Sequence, residues 1–441
     1  MLADGITLYN HQETFLSLLE DREPLAGFME AGTGKTLPVL CFIHDLLESG
    51  EITDALIVAP AATQGVWPRD MEKFKPDARE RLERAVRVVS YDLVWRRAEF
   101  DKEWGIIVLD ESHYIKSRTA KRTKALLQLA TRSQHRIILT GTPIGNKRLE
   151  DIWTQFTFLF PAHEYGHRAY SAVLEGWTAF CNRYCVLNKY YQPYRYVNVS
   201  ELQSIIADHS YQVTKAECLD LPAILPDEVY SIEIAEKAVY KEMHKHSTVE
   251  EMELIAVNPL AKMLRLRQLC SGFMTDESGE IKEFKNNKIK ELDAFLEGYE
   301  KKLVIFCEYT RSINEVSKLV KKRKLKYVVL DGRTKDKNVW RKFQEDESIR
   351  VIICQSQAAG AGIDLYAADT ELFYEMPLSS TTHEQCRARI HRVGQTQKCS
   401  YVYFVTKGTI ETAIYRTLKG YADFNERLFK EYLADYQKGI K

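Results

Sequence analysis

The stretch Met29-Glu30-Ala31-Gly32-Thr33-Gly34-Lys35-Thr36, with LPVLCFIHDLLESG running on from it (37–50), decides how this chain is read. Gly32 and Gly34 let the backbone turn tightly and aim its N–H groups inward. The segment after it has helical character: it tolerates Pro38 in its first turn and carries Gly50 where a C-cap belongs. N–H groups gathered at a helix N-terminus cradle phosphate oxygens. Thr33 lies in the same cradle, Lys35 would neutralise the outer phosphates, and the Thr36 hydroxyl would ligate Mg²⁺. A dinucleotide site fits poorly, because Gly32-Thr33-Gly34 lacks the third glycine and Lys35-Thr36 suits a triphosphate.

Working outward, short β-branched runs alternate with charged helical segments. ALIVAP (55–60), IIVLDE (106–111) and RIILTGTP (136–143) form a first group. LVIFCEY (303–309), YVVLDG (327–332), VIICQS (351–356), ELFYEMP (371–377) and YVYFVTKG (401–408) form a second. Continuous apolar strands of this kind belong to parallel sheets covered on both faces, so the pattern predicts two doubly wound α/β lobes. From about 151 to 290 the strand rhythm gives way to helical spacing, which reads as helix-rich insertion plus linker. Nothing there reads as a strand-separating pin.

IIVLDESH puts Asp110 and Glu111 at the end of a buried strand, where one carboxylate can hold Mg²⁺ and its neighbour can orient and deprotonate a water. They could also be a solvated turn. The phosphate loop upstream and Thr140-Gly141-Thr142-Pro143 on the next strand favour the first reading, since all three belong at the carboxyl edge of one sheet. Gln385-Cys386-Arg387-Ala388-Arg389-Ile390-His391-Arg392 places Arg389 and Arg392 three apart, so both can project from one helix face. Such guanidinium groups can stabilise a phosphoryl-transfer transition state or simply lie in solvent. Lys116, Arg118, Lys121, Arg122 and Lys124 form a basic cluster just after the carboxylates. Lys321-Lys322-Arg323-Lys324 with Lys326 reads as a solvated helix end rather than a targeting signal. Asn188-Lys189-Tyr190-Tyr191-Gln192-Pro193-Tyr194-Arg195-Tyr196 is either a hairpin with packed tyrosines or a surface that stacks unpaired bases.

Composition bounds these readings. The 441 residues suggest two or three domains at about 150 each. Lys+Arg and Asp+Glu are both 62, so no bulk basic excess attracts nucleic acid, and any such contact must be local. The nine dispersed cysteines include no CxxC pair and read as free thiols of a reducing compartment, Cys181 and Cys185 among them. MLADGITLYNHQ lacks a signal peptide's apolar core, and no run reaches the ~20 apolar residues of a membrane span. An intracellular, soluble protein of a bacterium or phage-infected host is expected.

GTGKT (32–36), DESH (110–113), LTGTPIGN (139–146), AAGAGIDL (358–365) and QCRARIHRVGQ (385–395), in this order, resemble the motifs of superfamily-two helicases and more narrowly of SWI/SNF-type ATPases. LYNHQ (8–12), LIVAPAATQGVWPRDMEKF (56–74), HYIKSRTAKRTKAL (113–126), RYC (183–185), LRQLC (266–270) and YFVTKGTIE (403–411) extend the likeness over residues 8 to about 415. The details around HYIK and RYC are closest to the annealing-helicase-like branch.

The resemblance implies two RecA-like parallel-sheet lobes with helical insertions, bounded at 1–225 and 291–441 with 226–290 between them. It implies ATP and Mg²⁺. Gln12 would read adenine; Gly32, Thr33, Gly34, Lys35 and Thr36 would hold phosphates; Thr36 and Asp110 would hold the metal. Glu111 would be the general base, Arg389 and Arg392 arginine fingers, and Gln385 would lie in the cleft. Thr142 and Gly362 would couple nucleotide state to DNA grip. The expected activity is translocation on double-stranded DNA by a monomer, acting on duplex or forked DNA with targeting left to a protein partner. A nucleotide-gated DNA-binding subunit and a strand-separating DNA or RNA helicase are the alternatives. Departures from the family pattern fall at Met29-Glu30, at Asp364 where Asn is usual, and at Arg387-Ala388 where an acid is usual. Gln212-Val213-Thr214-Lys215 replaces paired arginines, which leaves a bracing contact in doubt.

Overall fold

The computed structural model describes residues 1–61, 63–144, 148–161, 176–249, 254–255, 258–276, 279–336, 338–359, 362–424 and 426–437. By its internal contacts the chain divides into two units, Met1–Asp220 and Leu221–Lys441.

The first unit is built on β1 (Leu25–Met29), β2 (Ala55–Ala59), β3 (Val86–Ser90), β4 (Trp104–Asp110) and β5 (Ser133–Leu139). A hairpin, β6 (Cys185–Leu187) and β7 (Pro193–Tyr196), precedes β8 (Ser210–Val213). The main sheet has the order β3-β2-β4-β5-β1-β8, parallel throughout. Side chains alternate between its faces as the two-residue period requires. Ile106 and Val108 of β4 join Leu40 and Ile43 of the helix Thr36–Ser49 on one face. Ile107 and Leu109 join Leu126 and Phe156 on the other.

The second unit opens with β9 (Glu228–Ile232), followed by two small antiparallel pairs, β10–β11 (Thr248–Val249, Leu254–Ile255) and β12–β13 (Phe273–Thr275, Ile281–Glu283). Then come β14 (Leu303–Cys307), β15 (Lys326–Leu330), β16 (Ile349–Gln355), β17 (Thr370–Phe373) and β18 (Ser400–Thr406). Their sheet, β15-β16-β14-β17-β18-β9, is again parallel throughout. Val304 and Phe306 pack with Leu266 and Ile414 on one face, and Leu303 and Ile305 with Ile313 and Val316 on the other. The architecture is two RecA-like lobes.

Every apolar run singled out in the sequence forms a strand. Two of the missed strands show why others went unread. β1 contains Gly27, where an added Cβ would lie 2.7 Å from Phe15 Cζ and 2.8 Å from Leu139 Cδ2, so close helix–sheet packing excludes a larger residue. β9 is a half-exposed edge strand with the polar sequence EVYSI. The stretch expected to lack strands, 151–290, therefore contains several. Its 226–290 portion lies in the second unit and supplies an edge of the second sheet.

That portion is also locked in at its end. Lys288, wholly buried on the helix Asn287–Phe295, donates to Glu411 Oε1 at 2.5 Å and to the Tyr374 carbonyl at 2.9 Å. Glu411 in turn accepts from Thr406 N–H at 2.9 Å. The basic stretch at 321–326 ends the helix Thr310–Lys322 in solvent, as expected, with Arg323 paired to Asp293. All nine cysteines are free and all but the half-buried Cys218 are buried. No helix among the described residues is long and apolar enough to cross a membrane.

Breaking one side of a buried ion pair leaves the other charge uncompensated. Lys288→Met is therefore expected to destabilise the second unit by about 3–5 kcal/mol. Denaturant titration of the full chain checks this: the transition of the second unit should shift to lower denaturant while that of the first unit holds.

Candidate functional site

Because β4, β5 and β1 are consecutive neighbours running in one direction, their ends lie side by side at one edge. The phosphate loop leaves β1 there and enters the helix Thr36–Ser49, which closes at Gly50 with φ +79°. Gly32 and Gly34 hold φ +93° and +80°, the left-handed region that favours glycine. Thr33 fastens the loop, its hydroxyl donating to the Glu30 carbonyl at 2.8 Å.

The helix Asn10–Arg22 grips the loop from outside. Gln12 Nε2 donates to the Gly34 carbonyl at 2.8 Å, and its Oε1 accepts the Tyr9 N–H at 2.9 Å. His11 Nε2 lies 2.7 Å from the Thr33 carbonyl. A Cβ on residue 34 would come within 2.4 Å of Gln12 Nε2, so the glycine is required by this clasp as well as by its φ. The segment 212–215, which lacks the paired arginines, meets the loop through Glu30. Glu30 N–H donates to the Val213 carbonyl at 3.0 Å, and Glu30 Oε2 accepts the Lys215 N–H at 2.8 Å.

The carboxylates stand at the end of β4, both buried. Lys35 Nζ lies 3.4 Å from Glu111 Oε1. Glu111 adopts φ +54°, which turns its side chain back toward the loop. Its Oε2 accepts from Thr140 Oγ1 at 3.3 Å, and His113 Nδ1 lies 3.4 Å from the same oxygen and 3.0 Å from Thr140 Oγ1. Thr140 Oγ1 also accepts the Thr142 N–H at 3.1 Å. The motifs at 110–113 and 139–143 are thus one hydrogen-bonded unit, with His113 as the link.

The two acids are pushed apart electrostatically. Burial raises the Asp110 carboxyl to about 6, against the pull of Lys35 and the 3.3 Å bond from Trp67 Nε1. Burial works on Glu111 too, but Lys35 and His113 outweigh it and hold this carboxyl well below the usual range. Trp67 and Tyr91, whose hydroxyl donates to the Asp110 carbonyl at 2.9 Å, are site residues that the sequence reading did not single out. Trp67 lies inside the quoted 56–74 segment, so a signal was there; Tyr91 gave none.

In the second unit the helix Ser380–Arg387 ends before Arg389 and Arg392, so these do not share a helix face as expected. The chain turns instead, and both still meet at one point. Arg389 donates to the Gln385 carbonyl at 2.8 Å and to the Ile363 carbonyl at 3.4 Å. Arg392 donates to the Ile363 carbonyl at 3.0 Å and pairs with Asp364. Burial, with Arg392 alongside, lowers the Arg389 guanidinium to about 10. Gly362, just before this carbonyl, holds φ +74°; Gly360 and Ala361 of the same motif lie outside the described residues. Gln385 is half-buried on the helix.

The acid-to-arginine departure at 387 has a structural reason. Arg387 donates to Asp227 Oδ1 at 3.0 Å and to Tyr403 OH at 2.6 Å, with its guanidinium 3.7 Å from the Tyr401 ring centroid. The 387–392 stretch is therefore not a patch of open positive charge: Arg387 is neutralised by Asp227 and Arg392 by Asp364. The other basic cluster does face solvent. Lys116, Arg118, Lys121 and Lys124 are exposed, with Arg118 over Trp177 and Arg122 over Tyr114.

Comparison with known proteins fits this arrangement. Residues 77–273 match the SNF2-related domain and residues 286–394 the helicase conserved C-terminal domain. The chain is 26% identical over 421 residues to the human "DNA annealing helicase and endonuclease ZRANB3", covering 88% of this chain and 37% of that protein. It is 26% identical over 440 residues to the Bacillus subtilis "Putative ATP-dependent helicase/translocase YwqA", covering 91% of this chain and 46% of that one. The chain thus spans less than half the length of these relatives. Among solved structures it resembles the Sulfolobus solfataricus SWI2/SNF2 ATPase core in complex with dsDNA, at 23% identity and a TM-score of 0.44, over 99% of this chain and 94% of that one. With its motifs in order on two parallel-sheet units, the chain carries an SNF2-related domain followed by a helicase conserved C-terminal domain, the pairing of its SNF2-type helicase relatives.

Proposed function

We propose that this protein hydrolyses ATP to move along double-stranded DNA, and that the movement remodels forked DNA or protein–DNA complexes. The observation that carries the reading is the single edge of the first sheet, where the phosphate loop, Lys35, Asp110-Glu111 and Thr140 converge. The names of the two relatives, an annealing helicase and a translocase, support the class of substrate.

The residues fit a magnesium nucleotide. Gly32 and Gly34 give the loop the left-handed turns of an anion nest, and the helix behind it adds its positive end. Lys35 would be the cation for the outer phosphates, and Gln12, which clasps the loop, would read the base. Thr36 and Asp110 would hold Mg²⁺; a carboxyl that burial has raised to about 6 is one that a divalent cation would return to its charged form. The metal would supply charge neutralisation at the phosphates. Glu111, kept ionised and oriented by Thr140 and His113, would accept the proton of the attacking water. Arg389 and Arg392 would supply positive charge to the transferring phosphoryl group. Gln385 and Gly362 set the local geometry: one carbonyl holds Arg389, and the turn at the other leads into the Ile363 carbonyl that both arginines share. Thr142 would couple the nucleotide to the DNA grip, through its bond to Thr140. The exposed cluster Lys116–Lys124 is the local positive charge for DNA phosphates in a chain with no net charge.

ATP turnover of the purified chain with blunt duplex, single-stranded, forked DNA and RNA tests the reading. Duplex DNA should stimulate turnover; stimulation by RNA alone would overturn it. Lys35→Ala and Glu111→Gln should abolish turnover, on the order of 100-fold or more, in keeping with the size of general-base effects. Arg392→Ala should leave nucleotide binding within a few-fold by equilibrium titration while hydrolysis fails, the pattern of a group used only in the transition state.

A further inference from the structure

Between the helices Trp177–Tyr184 and Val199–Asp208 the chain makes the hairpin β6–β7. Its base is fixed. Cys185 is buried, Val197 N–H donates to the Tyr184 carbonyl at 2.9 Å, and the Tyr196 phenol donates to the Glu150 carboxylate. Its tip is not covered. Tyr190 is 67% exposed, Tyr191 86% and Tyr194 62%, so of the two sequence readings the packed-tyrosine one fails here for all but Tyr196.

The turn itself is ordered. Asn188 Oδ1 accepts the N–H groups of Tyr190 at 2.8 Å and Gln192 at 3.1 Å, and Asn188 N–H donates to the Gln192 carbonyl at 2.9 Å. Tyr191 sits at φ +58°, a position that glycine or asparagine fills cheaply and a tyrosine does not. Neither burial nor backbone geometry therefore accounts for an aromatic ring at 191; folding alone would favour glycine.

Charge adds a second line. Residues 185–198, CVLNKYYQPYRYVN, contain Lys189 and Arg195 and no acid, in a chain whose cations and acids cancel as a whole. Both cations are exposed, and Lys189 Nζ lies 5.0 Å from the Tyr190 ring centroid. An ordered, acid-free loop with three aromatic rings in solvent and flanking cations has the chemistry of a base-stacking platform: rings take up base faces and cations take up phosphates. Bases inside a duplex offer no free faces, so the ligand class is unpaired nucleic acid.

We infer that the tip of the β6–β7 hairpin binds unpaired DNA, stacking Tyr190, Tyr191 and Tyr194 on its bases with Lys189 and Arg195 on the adjoining phosphates. The inference rests on the reading of the chain as a DNA motor and deepens it: the hairpin lets the motor distinguish a fork or gap from continuous duplex.

The test uses the full chain, an oligothymidylate of about 16 nucleotides, a fork with arms of the same length, and a blunt duplex. The combined variant Tyr190→Ala, Tyr191→Gly, Tyr194→Ala should bind oligothymidylate and fork about tenfold or more weakly. Its affinity for blunt duplex and its duplex-stimulated ATP turnover should match the parent. Replacing all three by Phe should keep the parent affinity, since the rings remain. Tyr191→Gly alone should leave the thermal midpoint unchanged or higher while weakening oligothymidylate binding, which separates ligand loss from misfolding. Equal oligothymidylate affinity in parent and combined variant overturns the inference, whatever protein the hairpin then proves to dock. A parent that no DNA stimulates overturns the motor reading instead, and the oligothymidylate titration still tests the hairpin separately.

Discussion

In a parallel sheet every strand delivers its last residue to the same edge, and this constraint governs the first unit. β1, β4 and β5 end there together, carrying a glycine loop, two carboxylates and a threonine that share hydrogen bonds only because their strands are neighbours. The cost of gathering such groups is desolvation of two adjacent acids. Lys35 offsets it for Glu111, and Trp67 lessens it for Asp110. The unequal treatment gives chemically distinct carboxyls from adjacent positions, one raised by burial and one held well below the usual range.

The fold was legible where the chain states burial plainly. Runs such as ALIVA and IIVLD are apolar on both faces, and nothing but a covered strand uses that pattern. It was illegible at β1, where a glycine is demanded by contact rather than by rhythm, and at β9, whose edge position allows polar residues. Motif residues were legible because their chemistry is bound to backbone turns at fixed spacing. Their partners were harder to see. Trp67 reaches the Asp110 carboxylate and Tyr91 the Asp110 carbonyl from elements far apart in sequence, and only the fold brings them in. Arg389 and Arg392 show the opposite case, where three-residue spacing suggested a helix and the convergence came from a turn.

Zero net charge conceals an uneven distribution. In the second unit two of the three motif arginines sit against an acid, Arg387 against Asp227 and Arg392 against Asp364, while Arg389 is held by backbone carbonyls, so the sequence departures at 364 and 387 each come with a partner. In the first unit Lys116–Lys124 and the hairpin cations lie in solvent. Paired, partly buried arginines are little affected by salt, whereas exposed clusters are screened within a Debye length of about 8 Å at physiological ionic strength.

The Lys35–Glu111 pair has a further consequence, which is thermodynamic linkage. Under the proposed function one ammonium would serve two anions, the carboxylate 3.4 Å away and any phosphate seated in the loop. Whatever draws Lys35 toward phosphate loosens its hold on Glu111 and makes that carboxylate a stronger proton acceptor. By reciprocity, whatever neutralises Glu111 frees the ammonium and makes the loop a better anion trap. Substrate affinity and base strength at this edge are therefore not independent quantities; they are two readings of where a single cation rests.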